Sequence, residues 1–579
     1  MAEPVNGGSG NQPPKEMSME VRLLLAFILM GVVMFVSQYY FKSAAPPPPK
    51  TDTAAQTAPV PAASPDNPPA NTSTQPPPVE AEAKAAPAPG ATPQQSLPPL
   101  VIDTDLYTVT FSNQGANVRS WLLKKFKGND SKPLELVNTA SGLDFPFSVS
   151  FPEKKPAKDV NWAWFVQTPD PDGLGVSYEY SDGHTAVHKK FRFEKNSYIS
   201  NVESSVTIDG APIANQLEWR GGFGDLTLTA PTADQRTLHF DVANNKLVEQ
   251  TVRDAKNGPA GAAGNFSFAG IADKYFAAVF LPQLSTNVQM STLSDTVKTA
   301  IEPKPAQYPG LLLSDGTENR FELFVGPKDL DLLAKINPKL TQVVDFGWFS
   351  ILAKPLFYIV NWFNDSFVHN FGWSIVLVTV AINFALFPLK LSNMKSMRKM
   401  QALKPQIDEI NAKYKSLKMT DPKKQEGQAE VMALYKKNGV NPMGGCVPML
   451  LQMPFFFAFW QVFTKSVEMR GASWLWVTDL SQPEHLAIKV LPIMMIASQF
   501  LMQKMTPQPN ADPGQQKMMM FMPLVFGYMF YWFPSGLVLY YLTSNLVSMG
   551  QQWFFNQTET AQQAAASVEP PKKQKNGRK

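Results

Sequence analysis

The chain has 579 residues, of which 44% are hydrophobic and 17% are charged, and 51 are prolines. Its mean hydropathy of -0.16 fits neither an ordinary soluble enzyme nor a chain that lies in a membrane throughout. A net charge of +4 is too small to indicate nucleic-acid binding, and the single cysteine, Cys446, excludes an intramolecular disulfide. The composition therefore predicts a mosaic of distinct segments.

The N-terminal part begins with a short segment, residues 1–22, followed by an apolar run without charge, residues 23–41. At about 1.5 Å per residue this run can cross a hydrocarbon core of ~30 Å, so we predict a cytoplasmic N-terminus and a first transmembrane anchor. A cleaved signal peptide with a site at Ser43–Ala45 is the alternative, but the apolar run exceeds the usual ~7–15 residues and the preceding segment is not basic. Residues 42–99, rich in proline and alanine, are predicted to be a disordered periplasmic linker.

Residues 100–345 show the period-two alternation of β-strands, for example at Phe191 and Phe193, interrupted by turn sequences rich in Asn, Asp and Gly. This pattern predicts one large antiparallel β-sandwich domain, placed in the periplasm by the orientation of the spans. His184 and His188 lie within a strand-like run, and the histidines lack zinc-like spacing, so we expect no metal site and no cofactor.

The last third of the chain alternates between apolar and basic segments. Residues 346–370 predict an amphipathic helix that lies along the membrane interface, with Trp348 and Leu356 on its apolar face. With the N-terminal anchor, five further apolar segments give six transmembrane helices, of which these five form a core. The predicted spans are residues 371–389, 446–464, 486–503, 517–533 and 535–556.

The loop between the first two core spans, residues 390–440, contains twelve Lys or Arg against five Asp or Glu between Lys390 and Lys437. The C-terminal tail, residues 557–579, is also basic, so the positive-inside rule places both in the cytoplasm. The spacing of Leu403 and Ile407 predicts a helical hairpin within the loop. A docking role for this hairpin and a simple solvated basic loop both remain open.

No nucleophile elbow, phosphate-binding loop, zinc-protease motif or dinucleotide fingerprint is present in the sequence. Instead, polar side chains recur inside the predicted spans, where an amide or hydroxyl is costly unless it is hydrogen-bonded. We expect them to face a shared hydrated cavity, with ordinary contacts between helices as the alternative. These candidate site residues are Thr379, Asn383, Gln452, Tyr540 and Tyr541.

Two alternative functions, a small-molecule transporter and a carbohydrate module, predict other features of the sequence. A small-molecule transporter predicts ionisable residues within the spans or inverted repeats, and neither is evident. A carbohydrate-binding or carbohydrate-modifying module would use side chains of the β domain such as Trp219, Glu218, Tyr178 and Asp182, which do not form a diagnostic pair.

Four motifs resemble those of the YidC membrane protein insertases of Gram-negative bacteria: Asn441–Cys446, Gln452–Pro454, Phe533–Tyr541 and Ser544–Asn545. The order of segments along the whole chain resembles that family as well. The resemblance implies a non-enzymatic inner-membrane chaperone with a β-supersandwich in the periplasm and a five-helix core. Such a protein inserts nascent membrane proteins, and helps them fold, through a hydrophilic groove, alone or with the Sec translocon.

The resemblance also implies contact with membrane lipids, and we expect the basic tail and the hairpin to contact the ribosome, because clustered cations pair with RNA phosphates. One position departs from the family pattern, which commonly has an arginine where this chain has Asn383. We therefore expect the groove of this chain to supply hydration without a fixed positive charge.

Overall fold

The computed structural model describes residues 95–139, 143–228, 232–283, 287–297, 305–414, 422–440, 447–506 and 513–568. The predicted anchor at residues 23–41, most of the predicted linker, the motif Asn441–Cys446 and residues 569–579 of the basic tail lie outside these ranges. The predictions made for those segments therefore remain predictions.

The first half of the described chain is almost entirely β-structure. The strands are β1 (Leu100–Asp103), β2 (Tyr107–Ser112), β3 (Asn117–Lys127), β4 (Pro133–Glu135), β5 (Ser148–Ser150), β6 (Val166–Pro169), β7 (Gly175–Ser181), β8 (Thr185–Phe193), β9 (Ile199–Ile208), β10 (Ala211–Pro212), β11 (Gln216–Trp219), β12 (Arg236–Asp241), β13 (Lys246–Gln250), β14 (Ala260–Gly264), β15 (Phe266–Ala272), β16 (Phe276–Pro282), β17 (Val288–Val297), β18 (Ala306–Ser314) and β19 (Glu318–Pro327).

These strands form three antiparallel sheets. The largest has the order β13-β12-β15-β16-β19-β9-β8-β7-β6, with β10 paired to β9. A five-stranded sheet has the order β14-β17-β18-β11-β5, and a four-stranded sheet runs β1-β2-β3-β4. The predicted antiparallel, sandwich-like β region is thus confirmed.

Strands β8 and β9 show the structural basis of the alternation between apolar and polar residues in the sequence. Every second residue of each strand is buried, which places Phe191 and Phe193 on the inner face of the large sheet. The Phe191 ring lies 4.8 Å from that of Phe111 and 5.2 Å from that of Phe147, and Phe147 lies 5.8 Å from Trp219. Tilted and edge-to-face aromatic pairs of this kind add to the free energy gained by burying the rings.

Lys189 occupies an inward position in the same strand and is almost completely buried. Its ammonium group donates hydrogen bonds to the carbonyl oxygens of Gly115 and Phe147, at 2.7 Å each, and of Ala116 at 3.3 Å. Burial disfavours the charged form and lowers the pKa of Lys189 to about 7. Lys328 is likewise buried, donates to the carbonyl oxygen of Asp273, and has its pKa lowered by burial to about 7.

The second half of the described chain is helical. The helices are α1 (Leu330–Ile336), α2 (Ser350–Phe363), α3 (Phe371–Ala385), α4 (Phe387–Ala402), α5 (Lys404–Lys413), α6 (Pro422–Lys437), α7 (Val447–Lys465), α8 (Val490–Met505), α9 (Pro513–Phe530) and α10 (Ser535–Val568). Short 3₁₀ turns lie at Pro338–Val343, Gly347–Phe349 and Val467–Met469, and a π-helical turn follows α2 at Asn364–Val368.

Helix α2 packs one face against α3 and α7 through Leu356, Phe357 and Val360, which are buried. Its other face is also apolar: the side chains of Trp348, in the turn before the helix, and of Ile351 are 99% and 91% exposed. The sequence predicted Trp348 and Leu356 on one apolar face, but the structure buries Leu356 and exposes Trp348, so the outer surface of α2 is more apolar than expected. A surface of this kind suits contact with lipid rather than with water.

A helix that spans a membrane must be long enough to cross the bilayer and must be apolar over that length. No single helix among the described residues meets both requirements, whereas Gly347–Val368 and Phe371–Ala385 meet them as a pair, with a bend of 115° between them. The six-span count and its boundaries therefore stay predictions.

The predicted span at 371–389 contains a break. Helix α3 ends at Ala385 and α4 starts at Phe387, because Pro388 in the first turn of α4 has no N–H to continue the α3 hydrogen-bond ladder. Leu386 itself keeps a helical conformation and donates to the carbonyl oxygen of Ile382, so α4 continues from α3 after a single irregular residue. Helix α4 therefore begins within the residues predicted as membrane span.

The basic loop contains α4, α5 and α6, with helices α5 and α6 packed side by side. Their contact is a small hydrophobic cluster of Met400, Leu403, Ile407, Tyr435 and Val440, separate from the main core. Two of the stripe positions noted in the sequence, Leu403 and Ile407, lie in this cluster. The α5–α6 hairpin therefore has a small hydrophobic core of its own, whereas α4 also contacts α10 through Lys390 and Arg398.

The β domain should become more stable as the pH rises from about 8 to 9.5. Lys189 and Lys328 are neutral in the folded state above about pH 7 but hold a proton in the unfolded chain up to their ordinary pKa of 10.5. The unfolded state then binds more protons, and stability rises by up to ~1.4 kcal/mol per pH unit for each lysine. Below about pH 8 the effect is opposed by buried Glu468, whose pKa is raised to about 8.

Pulse proteolysis of the β domain in the full chain, over a series of urea concentrations, measures this slope. Lys189→Met should reduce the slope by roughly half, because Lys328 remains. Lys190→Met, one residue along the same strand and on its more exposed side, is the matched control. A midpoint that stays constant or falls between pH 8 and 9.5 would contradict the assignment.

Candidate functional site

One face of α10 carries four polar residues. Tyr540, Ser544, Ser548 and Gln551 follow one another at intervals of four, four and three residues, which is the spacing of a single helix face. All four side chains are buried. Because α10 packs against α3 and α7, this face is directed at the polar residues that those helices contribute.

Asn383, near the end of α3, is the centre of the polar contacts. Its side-chain amide donates to the carbonyl oxygen of Thr379 at 2.8 Å, and its Oδ1 accepts from the Ser544 hydroxyl at 3.4 Å. Its backbone carbonyl accepts from Nε2 of Gln551 at 3.1 Å. Asn383 is 3% exposed, so these partners satisfy an amide that would otherwise be buried without hydrogen bonds.

Gln452 joins α7 to the same network. Its Nε2 donates to the phenol oxygen of Tyr540 at 2.6 Å and to the Ser544 hydroxyl at 3.4 Å. The Tyr540 ring packs on Phe459 of the same α7 helix, with ring centroids 4.5 Å apart. A hydrogen bond and a ring contact therefore hold α7 against α10.

Lys390 brings a cation into the network. Its Nζ donates to Oδ1 of Asn383 at 2.5 Å and to the hydroxyl of Ser548 at 2.9 Å. A lysine therefore lies beside Asn383, where no fixed positive charge was expected from the sequence. Lys390 follows Asn383 by seven residues, or two helical turns, so its long side chain can reach back along the same helix face.

These contacts form one connected path, from Tyr540 through Gln452, Ser544 and Asn383 to Lys390 and Ser548. Along α10 it extends over the twelve residues from Tyr540 to Gln551, a length of about 16 Å. Gln452 and Lys390 are partly exposed, so the path reaches the surface at these two side chains. We call these residues, with Gln551, the polar path.

Two of the five predicted site residues lie outside the polar path. The hydroxyl of Thr379 donates to the carbonyl oxygen of Ile375 in its own helix at 2.6 Å. The ring of Tyr541 packs against Phe530, 5.1 Å away. The structure thus brings Asn383, Gln452 and Tyr540 together and leaves Thr379 and Tyr541 aside.

Four residues of the polar path were not identified as candidates from the sequence: Lys390, Ser544, Ser548 and Gln551. Three of them continue the helical spacing that begins at Tyr540, so the periodicity of α10 could have revealed them. Lys390 shares a helix face with Asn383, seven residues earlier, but it stands at the edge of a basic loop whose charge the positive-inside rule already explains.

The central position of Asn383 can be tested against Thr379, which lies on the same helix face. Asn383→Leu removes the acceptor of Lys390 and Ser544 and should destabilise the helical part by ~1–3 kcal/mol. Thr379→Val should change stability by less than ~0.5 kcal/mol, because the carbonyl oxygen of Ile375 keeps its helical N–H partner. Denaturation in lipid nanodiscs, followed by the folded fraction, measures the stability of the two variants. Equal losses of stability would contradict a central position of Asn383 in the hydrogen-bond network.

Comparison with known proteins adds independent information. The family model described as "YidC periplasmic domain" matches residues 99–359, and the model described as "60Kd inner membrane protein" matches residues 362–563. The "Membrane protein insertase YidC" of Geotalea daltonii is 33% identical over 568 residues, covering 93% of this chain and 99% of the relative. That of Cupriavidus pinatubonensis is 37% identical, covering 68% of this chain and 71% of the relative.

Among solved structures, the chain matches the "Active YidC insertase crystal structure with the first transmembrane domain resolved", at 19% identity and a TM-score of 0.35. That match covers 79% of this chain and 94% of the other, and its TM-score is too low to add to the assignment. The sequence relatives are sufficient by themselves. The chain belongs to the YidC family of membrane protein insertases, inner-membrane proteins with a periplasmic domain.

Proposed function

We propose that the polar path is the lining of the hydrophilic groove through which this insertase passes the polar flank of a client. A charged side chain at the centre of a bilayer costs ~2.5–3.5 kcal/mol on insertion scales. Side-chain amides and hydroxyls along about 16 Å of α10 can replace part of the lost hydration. The partial exposure of Gln452 and Lys390 supports access to this lining from outside.

The observation that carries the proposal is the placement of Lys390. Its partners are the neutral side chains of Asn383 and Ser548, and among the described residues no carboxylate forms an ion pair with it. A cation held only by neutral acceptors retains its attraction for an anion. Lys390 therefore takes the role that the family's arginine would have at the position of Asn383, and it favours clients with acidic translocated segments.

The path supplies no covalent chemistry, so insertion is driven by the client itself. Burial of the client's apolar helix in lipid provides free energy, and the membrane potential acts on charged tails. The client's apolar helix leaves sideways into the bilayer while its polar flank follows the path.

The topology that we propose has six spans, a cytoplasmic basic hairpin and a cytoplasmic C-terminus. The exposed apolar surface of α2, including Trp348 and Ile351, supports contact of this segment with membrane lipids. Nascent membrane proteins are the clients. The Sec translocon and the ribosome are the further partners, the ribosome through the basic tail and the hairpin.

The role of Lys390 can be tested with two clients that differ only in the charge of the translocated tail. Lys390→Met keeps the length of the side chain and removes its charge. It should slow insertion of the acidic-tailed client by at least about threefold and leave the neutral-tailed client nearly unaffected, because only the acidic tail gains Coulomb attraction. Protease protection of the translocated tail measures insertion.

Lys395→Met provides the control, since Lys395 is an exposed lysine of the same helix α4 and lies outside the polar path. Equal loss of both clients with Lys390→Met would indicate a structural role for Lys390. Normal insertion of the acidic-tailed client by the same variant would refute its role as the groove cation.

The proposed ribosome contact is tested by removing residues 569–579, which carry five Lys or Arg. Cation–phosphate contacts release counterions, so co-sedimentation with ribosomes should weaken on deletion and fall as the salt concentration increases. Replacing the five cations by glutamine within a tail of unchanged length separates charge from length. Binding that is insensitive to both changes would exclude the tail as a ribosome contact.

A further inference from the structure

Arg470 lies just beyond α7, after the short turn Val467–Met469, and its side chain reaches into the β domain. The guanidinium group forms an ion pair with Asp225 and donates to the carbonyl oxygen of Lys127 at 2.9 Å. It also lies over two aromatic rings, 5.2 Å from the centroid of Tyr275 and 5.5 Å from that of Phe276. Only 7% of the Arg470 side chain is exposed.

The receiving site is built by the β domain itself. Asp225 is held by its own Oδ1, which accepts from the backbone and hydroxyl of Thr227, and by its N–H, which donates to Asp273 at 2.6 Å. The other oxygen of Asp273 accepts from the N–H groups of Tyr275 and Phe276 at 2.8 and 2.6 Å. The buried carboxylate of Asp273 thus holds in place both Asp225, the anion that pairs with Arg470, and the backbone of the two aromatic residues that Arg470 contacts.

The contact requires an arginine and a carboxylate together. The Asp225 side chain is completely buried, so without Arg470 it would be a buried anion lacking its cation. A lysine could supply the positive charge. It lacks the planar guanidinium group of arginine, which lies over the rings while its N–H groups reach Asp225 and the carbonyl oxygen of Lys127. Arg470 is therefore matched to its site in both charge and shape.

Two weaker contacts connect the same region of the helical part to the β domain. The Nζ of Lys465, the last residue of α7, lies 3.6 Å from a carboxylate oxygen of Asp234. The phenol of Tyr275 donates to the hydroxyl of Ser481 at 3.5 Å. These two contacts lie in the segment from Lys465 to Ser481, and the Arg470 contact is more buried than the Lys465 ion pair.

Helix α7 connects this contact with the polar path. Lys465 ends the helix next to the Arg470 contact, and Gln452 lies thirteen residues earlier, about 20 Å along the same helix. A tilt of α7 about its fixed contacts would move Gln452 relative to Tyr540, whose hydrogen bond with it is 2.6 Å long. What holds the outer end of α7 therefore affects the geometry of the path.

We infer that Arg470 is a positioning residue for insertion: it locks the outer end of α7 to the periplasmic β domain, and the β domain in this way holds α7 in register with α10. This assigns the β domain a mechanical role in the helical part, separate from any contact with a client. The inference concerns the insertase activity of the family and does not depend on which side chain attracts acidic tails.

The test uses the full chain in nanodiscs, with Cys446→Ser as background and spin labels at Val101→Cys in β1 and Leu501→Cys in α8, two exposed positions. Arg470→Met should broaden the distribution of distances between the labels. It should also slow insertion of a neutral-tailed client by at least about threefold, the lower range for groups in one contact network. Arg192→Met, which breaks an ion pair inside the β domain with Asp172, should change neither.

The protease resistance of the β domain reports whether this domain is folded, and it should stay unchanged in Arg470→Met. Broader label distances would then reflect a loss of positioning and not a loss of folding. Asp225→Asn, which keeps the shape of the site, is the second variant and should give the same broadening, and Arg470→Lys should recover only part of the effect. Unchanged distances in both Arg470→Met and Asp225→Asn would overturn the inference. So would broad distances with normal insertion, or a loss of insertion that only accompanies unfolding of the β domain.

Discussion

A polar side chain buried among apolar helices has to find hydrogen-bond partners, and this requirement organises the helical part of the chain. The amide nitrogen of Asn383 donates within α3, and its Oδ1 finds donors because α10 repeats polar residues on one face and because Lys390 lies two helical turns further along the chain. The same contacts fix how α3, α4, α7 and α10 lie against one another. A site built in this way is specific in geometry, since each donor and acceptor restricts its neighbours.

The β domain and the helical part follow different physical rules, and the Arg470 contact connects them. The β domain is stabilised by aromatic rings packed between its sheets. Lys189 is a polar exception in this apolar core, and its ammonium group donates hydrogen bonds to three carbonyl oxygens. In the helical part the polar residues carry the specificity. Because Arg470 and Asp225 are both buried, the two regions cannot separate without exposing or orphaning a charge.

The sequence predicted those features that depend on local periodicity. Alternating residues gave the strands around Phe191 and Phe193, and the spacing of Leu403 and Ile407 gave two members of the hairpin core. Polarity inside apolar runs identified Asn383, Gln452 and Tyr540. Features that depend on contacts between distant segments escaped the sequence: Ser548 meets Lys390 from another helix, and the partner of Arg470 lies in another domain.

Thr379 and Tyr541 show the limit of polarity as a guide. A threonine can satisfy its hydroxyl on its own helix, as Thr379 does with Ile375, and a tyrosine can be held by its ring, as Tyr541 is by Phe530. Helix α10 has a further consequence, since its 34 residues are about 51 Å long. A helix of that length crossing a ~30 Å hydrocarbon core at a tilt of about 20° leaves about 20 Å outside that core. The headgroup layer takes up ~5–7 Å of that length, so the end of the helix lies about 13 Å beyond the headgroups if the whole overhang is on one side. That distance exceeds one Debye length of ~8 Å, so charges attached to the end are partly screened from the headgroups.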